Sequence, residues 1–340
     1  MHLLTRRRGM MENETIRAVR FTAESSQTVS FVQTGSTGIT PNLEYSTDGH
    51  TWSAWDLSEL SFGGSVRLYV RGINTRFATS TSNYWHFVFG NSTSVMADGD
   101  CNCLLDYEQD VTTFVGRTHV FLGLFNGCSV LLTAPSLPAE TLSAHCYRSM
   151  FQGCTSLVNA PKLPATVLGD YCYRDMFNGC SSLVIAPKLP AQTLRTYCYQ
   201  AMFYNCTSLT VAPDLSVLTT VAYCYHTMFY GCTSLVDAPK LPATTLTNYC
   251  YYAMFQRCTA ILTAPDLPAT TLANYCYQLL FQGCSSLSSV RCLATDISAT
   301  DCTKNWMYGV ASSGTFTKAT GVTWATGVNG IPSNWSVNEE

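Results

Sequence analysis

The stretch YCYQAMFYNCTSLTVAPDL, Tyr197–Leu215, decides the fold because close variants of it precede and follow it along the chain. Its two cysteines belong to two series that recur every 26 residues, without insertion, over seven cycles. One series is Cys128, Cys154, Cys180, Cys206, Cys232, Cys258 and Cys284. The other is Cys146, Cys172, Cys198, Cys224, Cys250, Cys276 and Cys302. Such a period indicates a repeat array, in which units too short to bury their apolar faces alone stack on one another.

Each 26-residue unit is interpreted as a short strand followed by a helix. In Cys232–Pro242 two prolines three residues apart exclude a helix and suit a strand that leads into a tight turn. In Ala243–Cys258 the apolar residues fall at helical spacing, and they are Leu246, Cys250, Ala253 and Met254. We therefore predict an α/β leucine-rich-repeat solenoid of seven units with parallel strands, since that repeat spans roughly 20–29 residues.

The consensus F-x-G-C-T-S-L-x-x-A-P-x-L-P-A-T-T-L-x-x-x-C-Y-x-x-M covers about Phe121 to Cys302, just over half of the chain. It resembles the BspA-like leucine-rich repeat of Bacteroides-group gut bacteria and of the virion proteins of their phages. The flanks resemble the same family: LEYSTDGHTWSAWDLSEL and VRLYVRG are similar to its small β-sandwich, and WMYGVASSGTFTKATG and GIPSNW to its C-terminal cap. Departures at Ser216, Thr220, Arg291 and Ala294 predict local irregularity.

We divide the chain into five segments. They are an N-terminal arm (1–11), a small all-β sandwich (12–95), a join or N-terminal cap (96–120), the solenoid (121–302) and a C-terminal cap (303–340). The sandwich also follows from the residues themselves, because short Thr/Val/Phe/Tyr runs alternate with Gly, Asn and Asp turns at intervals of roughly 8–12 residues. Ser46–Trp52 carries the Asp-Gly signal of a hairpin.

Composition limits the class of partner. Charged residues are only 12% of the chain and the net charge is −3, so no basic field exists to collect nucleic acid. No run of about 18 apolar residues occurs, and we expect no membrane insertion. Arg6–Arg8 are not followed by an apolar segment, so an ordinary secretion signal is not expected. These arginines could form a nucleic-acid tail, but a disordered or docking arm is favoured.

The cysteines are interpreted as two structural thiol ladders inside the array. Zinc sites need paired CxxC knuckles, and the only close pair is Cys101-Asn-Cys103. Disulfides between neighbouring rungs are disfavoured because their Cβ vectors would run parallel. Buried free cysteine behaves as a small hydrophobe, which is what a repeated interior position needs. His145 beside Cys146 is the one Cys–His neighbour, and a catalytic role is disfavoured because that thiol would point inward.

The join carries several acids. Asp98, Asp100, Asn102 and Asp106 alternate in a way that could supply oxygen ligands to Ca²⁺. The glycine and glutamate of a calcium loop are missing, because Cys103 takes the sixth position and no glutamate takes the twelfth. A solvated loop is favoured. We expect no metal and no cofactor.

Residues that vary between units are free of packing and line up as rows, which are the natural binding surface of a repeat protein. The candidate ligand-binding residues are Arg148, Arg174, Gln200, His226, Tyr252 and Gln278 in one row, and Tyr204 and Tyr230 in a second. Tyr204, Tyr230, Tyr252 and His226 cluster in the middle units, as a patch for sugars or peptide would. The alternative is that these are ordinary solvated positions.

The resemblance implies a non-enzymatic binding or structural protein. We expect a phage virion fibre or decoration protein at the virion surface, whose repeats contact a host surface protein or glycan. Its N-terminal region would dock to other virion proteins. A bacterial cell-surface adhesin is the alternative, and a glycan-active enzyme with its acids in the join is a weaker one. Position on the particle and homo-oligomerisation stay open.

Overall fold

The computed structural model describes residues 16–340, so the predicted arm 1–11 with Arg6–Arg8 lies outside the described residues. Within that range the chain forms thirteen strands, one 3-10 helix (Cys101–Leu104) and no α-helix. The strands are β1 Val19–Ala23, β2 Gln27–Thr34, β3 Leu43–Ser46, β4 Ser53–Ala54, β5 Leu60–Phe62, β6 Leu68–Gly72, β7 Ala78–Ser80, β8 Asn83–Phe89, β9 Val95–Gly99, β10 Leu131–Thr133, β11 Ser289–Cys292, β12 Thr315–Lys318 and β13 Ser336–Glu339. No described helix is long and apolar enough to cross a membrane.

Two sheets make up the N-terminal part. One has six strands in the order β10-β9-β1-β6-β3-β4, and the other has four in the order β5-β2-β8-β7. Buried and partly exposed residues alternate along β1, as expected for a strand with one face on a core. Phe21 of β1 and Phe87 of β8 meet edge-to-face with ring centroids 5.1 Å apart, so the core lies between the two sheets.

The repeats continue this core without a break. Strand β10 of the first unit pairs with β9 in parallel, whereas the other neighbours in the six-stranded sheet are antiparallel. The ring of Phe125 stacks on Phe87 at 5.1 Å, and the Cys128 thiol donates to the Phe87 carbonyl at 3.2 Å. The first repeat is therefore packed directly on the sheets that precede it.

The second half of each unit is a chain of turns with a period of four residues. In the third unit Tyr197, Ala201 and Asn205 have φ of 59°, 52° and 56°. The Met202 N–H donates to the carbonyl of Tyr199, three residues back, whereas the Ala201 N–H donates to a carbonyl of the following unit at 2.9 Å. Alternate N–H groups thus close the local turns and tie neighbouring units together.

The predicted α/β leucine-rich-repeat solenoid with parallel strands is wrong. The predicted helix Ala243–Cys258 is a run of turns, because its residues at Tyr249, Ala253 and Arg257 adopt the left-handed conformation and interrupt α-helical bonding. The predicted strand Cys232–Pro242 contains no strand. The descriptions of the array as a leucine-rich repeat and as a solenoid fail with it. The described chain is a β protein with three separate sheets.

The proline-containing segments join neighbouring units only at isolated points. Asn159 bridges to Ile185, and Ile185 bridges to Val211, both in parallel, and similar single bridges connect other units. Proline has no N–H to donate, so a unit with two prolines in this segment cannot maintain a continuous ladder. The predicted irregularity at Thr220 has a local solution: its buried hydroxyl accepts from the Thr247 N–H at 2.9 Å.

At the far end of the array the backbone becomes regular again. Strands β11, β12 and β13 form a parallel sheet of three strands. Trp306 is fully buried, donates to the Gly330 carbonyl at 2.8 Å and stacks on Trp324 at 5.4 Å. Trp306 also stacks on the buried Tyr277 of the last unit at 6.3 Å, so the indoles cover the end of the array's interior. The domain boundaries predicted at 95, 120 and 302 stay a prediction.

Candidate binding surface

The first cysteine series lies inside the array. Six of its seven thiols donate to the backbone carbonyl 29 residues earlier, at 2.9–3.2 Å. The first, Cys128, donates to the Phe87 carbonyl at 3.2 Å, so none of the seven faces solvent. All seventeen cysteines are buried and free of disulfide bonds. Burial raises the pKa of Cys180 and of Cys284 to about 12, so these thiols remain protonated and unreactive at neutral pH.

The second series is buried as well, including the cysteine beside a histidine. The Cys146 thiol donates to the Arg117 carbonyl at 3.2 Å, and burial raises its pKa to about 11. The His145 ring lies on the surface side, stacked between His119 and Tyr171 at 4.5 and 4.7 Å. The pair is therefore divided between interior and surface, which does not suit a thiolate nucleophile activated by a base.

The acids of the join are occupied by neighbouring groups. Asp98 forms an ion pair with Arg20. Asp100 accepts from the Asn102 N–H at 2.8 Å and so caps the 3-10 helix, and Asp106 accepts from two N–H groups of the turn that follows. Among residues 16–340, no group of three or more His, Cys, Asp or Glu side chains is placed to hold a metal ion.

The structure brings the first predicted row together on one face. Gln200 Nε2 lies 3.4 Å from His226 Nδ1, and the His226 ring stacks on Tyr252 at 4.6 Å. Arg174 precedes them and forms an ion pair with Asp175 at 3.1 Å. The predicted pair Tyr204 and Tyr230 stacks at 4.4 Å with rings within 1° of parallel. All eight predicted residues are partly exposed.

Sequence reasoning missed the most regular part of this face. Seven half-exposed rings at the start of the turn segment form one uninterrupted column, with neighbouring centroids 4.4–4.7 Å apart and planes within 6–15° of parallel. We call this column the ring ladder, and its members are His119, His145, Tyr171, Tyr197, Tyr223, Tyr249 and Tyr275. The 26-residue recurrence of these tyrosines is the sequence signal, but the predicted rows contain only positions that vary between units.

The predicted rows lie beside the ring ladder. Tyr223 is 5.8 Å from His226, and Tyr249 is 5.8 Å from Tyr252, both in tilted contacts. The Arg148 guanidinium carbon lies 5.9 Å from the centre of the Tyr171 ring. The ring ladder, the row from Arg148 to Gln278 and the pair Tyr204–Tyr230 together are called the ring face below.

The ladder offers ring edges and hydroxyls, because each ring face within it is covered by the next ring. Burial within the column and the neighbouring phenols raise the pKa of Tyr223 and Tyr249, so both hydroxyls keep their protons. A protonated phenol can both donate and accept a hydrogen bond. The ladder therefore presents hydroxyl groups in register along the array, one from each tyrosine-bearing unit.

Charge on the ring face is concentrated in the early units. Arg148 and Arg174 lie there, whereas the corresponding residues of later units are Gln200, His226 and Tyr252. Burial lowers the pKa of His226 to about 4, so its imidazole is neutral at physiological pH. The middle of the face is consequently uncharged and rich in hydroxyl, amide and imidazole groups.

Comparisons with protein-family models, with curated proteins and with solved structures found no match to this chain. The resemblance to BspA-like proteins thus stays a prediction made from the repeat consensus. Nothing in the structure or in these comparisons supports the phage and adhesion descriptions.

Proposed function

We propose that this chain is a non-enzymatic binding protein that holds an extended polysaccharide along its ring face. The observation that carries the proposal is the column of seven parallel rings, which crosses consecutive units without interruption. A surface that repeats at a constant interval suits a ligand that also repeats. The ligand would run along the array, in contact with several units at once.

The chemistry of the face favours sugar. Hydroxyl-bearing tyrosine edges combine apolar C–H surface with hydrogen-bonding groups, and the partly exposed Gln278 adds an amide that can both donate and accept. Sugar rings carry the same mixture of C–H and hydroxyl groups. The low charge of the chain, with a net value of −3, does not favour a nucleic acid.

The spacing of the ladder separates a polysaccharide from a peptide. A peptide strand advances about 3.3 Å per residue, which does not keep step with rings 4.4–4.7 Å apart. Sugar residues in an extended polysaccharide follow one another at a spacing closer to that of the rings. Edge contacts therefore stay in register over more units with a sugar chain than with a peptide.

The wider biological setting rests on the resemblance alone. It implies a virion fibre or decoration protein, with the bacterial surface adhesin as the alternative. The expected docking to other virion proteins involves the N-terminal region, of which residues 1–15 lie outside the described part of the chain. Virion location, docking and homo-oligomerisation stay predictions.

The test is binding of the purified protein to a panel of soluble polysaccharides, with variants Tyr223→Ala and Tyr249→Ala. Each substitution removes one rung from the centre of the ladder, and we expect at least a tenfold loss of affinity, about 1.4 kcal/mol. Tyr249→Phe keeps the ring and should lose less. Tyr107→Ala is the matched control, because this tyrosine stacks on Arg71 in the N-terminal part. Polysaccharide affinity that is unchanged in both ladder variants would overturn the proposal.

A further inference from the structure

Arg148 is a half-buried guanidinium without an acidic partner. Within residues 16–340, no carboxylate lies within salt-bridge distance of it, whereas the equivalent Arg174 is paired with Asp175. A cation that is partly removed from water and unpaired raises the free energy of the folded protein. An anion bound at this point would lower it again.

The imidazoles beside Arg148 are neutral and leave its charge uncompensated. Its Nη1 lies 3.5 Å from His145 Nδ1, and His145 stacks on His119. The pKa of His119 is lowered by burial and also by the nearby cations Arg76 and Arg148. Burial lowers the pKa of His145 to about 4, with further lowering by His119, Arg148 and Arg174 and an opposing effect of Asp170. The acids near this end of the ring ladder are Asp170 and Asp175, and Asp175 is already paired with Arg174.

The opposite end of the ring face has no unpaired cation among the described residues that correspond to Arg148. Lys304 occupies the same position two units after Tyr252, and it is paired with Asp301 at 2.9 Å. Gln200 and Gln278 carry no charge. The ring face therefore has one end that can take an anionic group and a long neutral remainder.

We propose that Arg148, with the imidazole of His145 beside it, binds the carboxylate or sulfate group of an acidic sugar residue in the polysaccharide that lies on the ring face. This inference rests on the proposed function and adds the charge class and orientation of the ligand. A guanidinium suits both anions because its planar N–H groups can donate two parallel hydrogen bonds. The acidic residue lies at the early units, and neutral residues lie along Tyr197 to Tyr275.

The test compares matched pairs of polymers: polygalacturonate with its carboxyl-reduced form, and dextran sulfate with dextran. Wild-type protein should bind the acidic member of at least one pair about tenfold more tightly at low salt, with the advantage shrinking as salt is added. Arg148→Gln should abolish the advantage, and Arg148→Lys should restore only part of it because an ammonium cannot donate a bidentate pair. Arg67→Gln, at an exposed arginine outside the ring face, is the control.

The outcomes separate the two proposals. If Arg148→Gln still binds the acidic polymers more tightly than the neutral ones, the anion site at Arg148 is overturned. Weaker binding by Tyr223→Ala in the same experiment would still support polysaccharide binding on the ring face. Equal binding of both members of each pair overturns the anion site alone. Binding of none of the four polymers overturns both proposals. Poly-glutamate that binds as tightly as polygalacturonate, and with the same dependence on Tyr223, overturns the choice of polysaccharide.

A second readout does not depend on affinity. Binding of polygalacturonate beside His145 should raise the pKa of this imidazole, because a nearby carboxylate favours the charged form. NMR titration of the His145 ring signals with and without polygalacturonate measures this shift. An upward shift in wild type that disappears in Arg148→Gln supports the site, and an unchanged titration in wild type contradicts it.

Discussion

The thiol of Cys206 donates a hydrogen bond to the carbonyl of Phe177, which lies 29 residues earlier, at 3.1 Å. The same relationship links Cys232 to Phe203 at 3.1 Å and recurs through the array. The thiol therefore satisfies a backbone carbonyl of the preceding unit, while its sulfur fills space in the apolar interior. This dual role explains why cysteine, rather than alanine or serine, occupies the position in every unit.

We expect Cys206→Ala to lower the free energy of unfolding by about 1–3 kcal/mol, because a cavity replaces the sulfur and a hydrogen bond is lost. Cys206→Ser retains a donor and should recover part of that loss. Cys172 is the matched control: it is equally buried, but among the described residues its thiol does not donate to a carbonyl of a neighbouring unit. Urea denaturation of Cys206 and Cys172 variants measures the difference. If Cys206→Ser were no more stable than Cys206→Ala, the hydrogen bond to the Phe177 carbonyl would not contribute to stability.

Alkaline pH should destabilise the protein steeply. Thiols ionise near pH 9 in the unfolded chain, whereas burial raises the pKa of Cys180, Cys198 and Cys284 to about 12 in the folded chain. Between pH 9 and 12 the folded state binds more protons, so the free energy of unfolding falls as pH rises, by about 1.4 kcal/mol per pH unit for each such thiol. The contribution is fully present below pH 9.

Urea midpoints measured at several pH values from 7 to 11 test this dependence. We expect a plateau below pH 8.5 and a steep fall above pH 9. Cys180→Ala should make the fall of the unfolding free energy with pH shallower by about 1.4 kcal/mol per pH unit, because one thiol no longer titrates. A midpoint that is constant up to pH 11 would show that the thiols are not held protonated by burial.

Replacing Arg257 by glycine should raise the free energy of unfolding, because Arg257 is one of the left-handed residues that recur every four positions in the turn segment. Arg257 has φ of 63°, at a position where Gly153, Gly179 and Gly283 stand in other units. Glycine adopts this conformation without the steric cost that a Cβ imposes, which is about 1 kcal/mol. Arg257→Ala is the control, since both variants lose the guanidinium that lies 5.8 Å from the Tyr230 ring.

Thermal unfolding of the two Arg257 variants isolates the backbone effect. We expect the free energy of unfolding of Arg257→Gly to be about 1 kcal/mol higher than that of Arg257→Ala. Equal stabilities would mean that this residue does not hold a positive φ in solution.

The 26-residue period shows which positions are interior but not how the backbone connects them. Cys206 and Phe203 recur without variation, and both are fully buried. The helix prediction failed because apolar residues spaced three and four apart, such as Cys250, Ala253 and Met254, fit a chain of four-residue turns as well as an α-helix. Only the left-handed residue at every fourth position distinguishes the two. Tyrosine or histidine takes the first of these positions, and Asn205 and Arg257 replace the glycine of other units at the last one.

The ring face shows a second limit of sequence reasoning. In Tyr-Cys-Tyr, the first tyrosine belongs to the surface ladder and the second is buried, as Tyr249 and Tyr251 illustrate. Both recur at 26 residues, so recurrence alone cannot assign one of them to a binding surface. The unpaired state of Arg148 depends on side-chain positions in neighbouring units, which no spacing rule supplies.

The buried tyrosine column provides the last prediction. Tyr199 stacks between Tyr173 and Tyr225 at 5.8 and 5.9 Å, and its buried hydroxyl oxygen has no hydrogen-bond partner within the described residues. A buried polar group without a partner costs about 1–3 kcal/mol. Tyr199→Phe keeps the ring in the column and removes that group, so the free energy of unfolding should rise by a similar amount.

Chemical denaturation of Tyr199→Phe, with Tyr249→Phe as the matched control on the surface ladder, tests the prediction. The control removes a hydroxyl that water can reach, so its stability should change by less than about 0.5 kcal/mol. Because Tyr199 lies inside the array, its substitution should also leave polysaccharide binding unchanged. A loss of stability in Tyr199→Phe would show that the buried hydroxyl finds a partner, such as an internal water, in the folded protein.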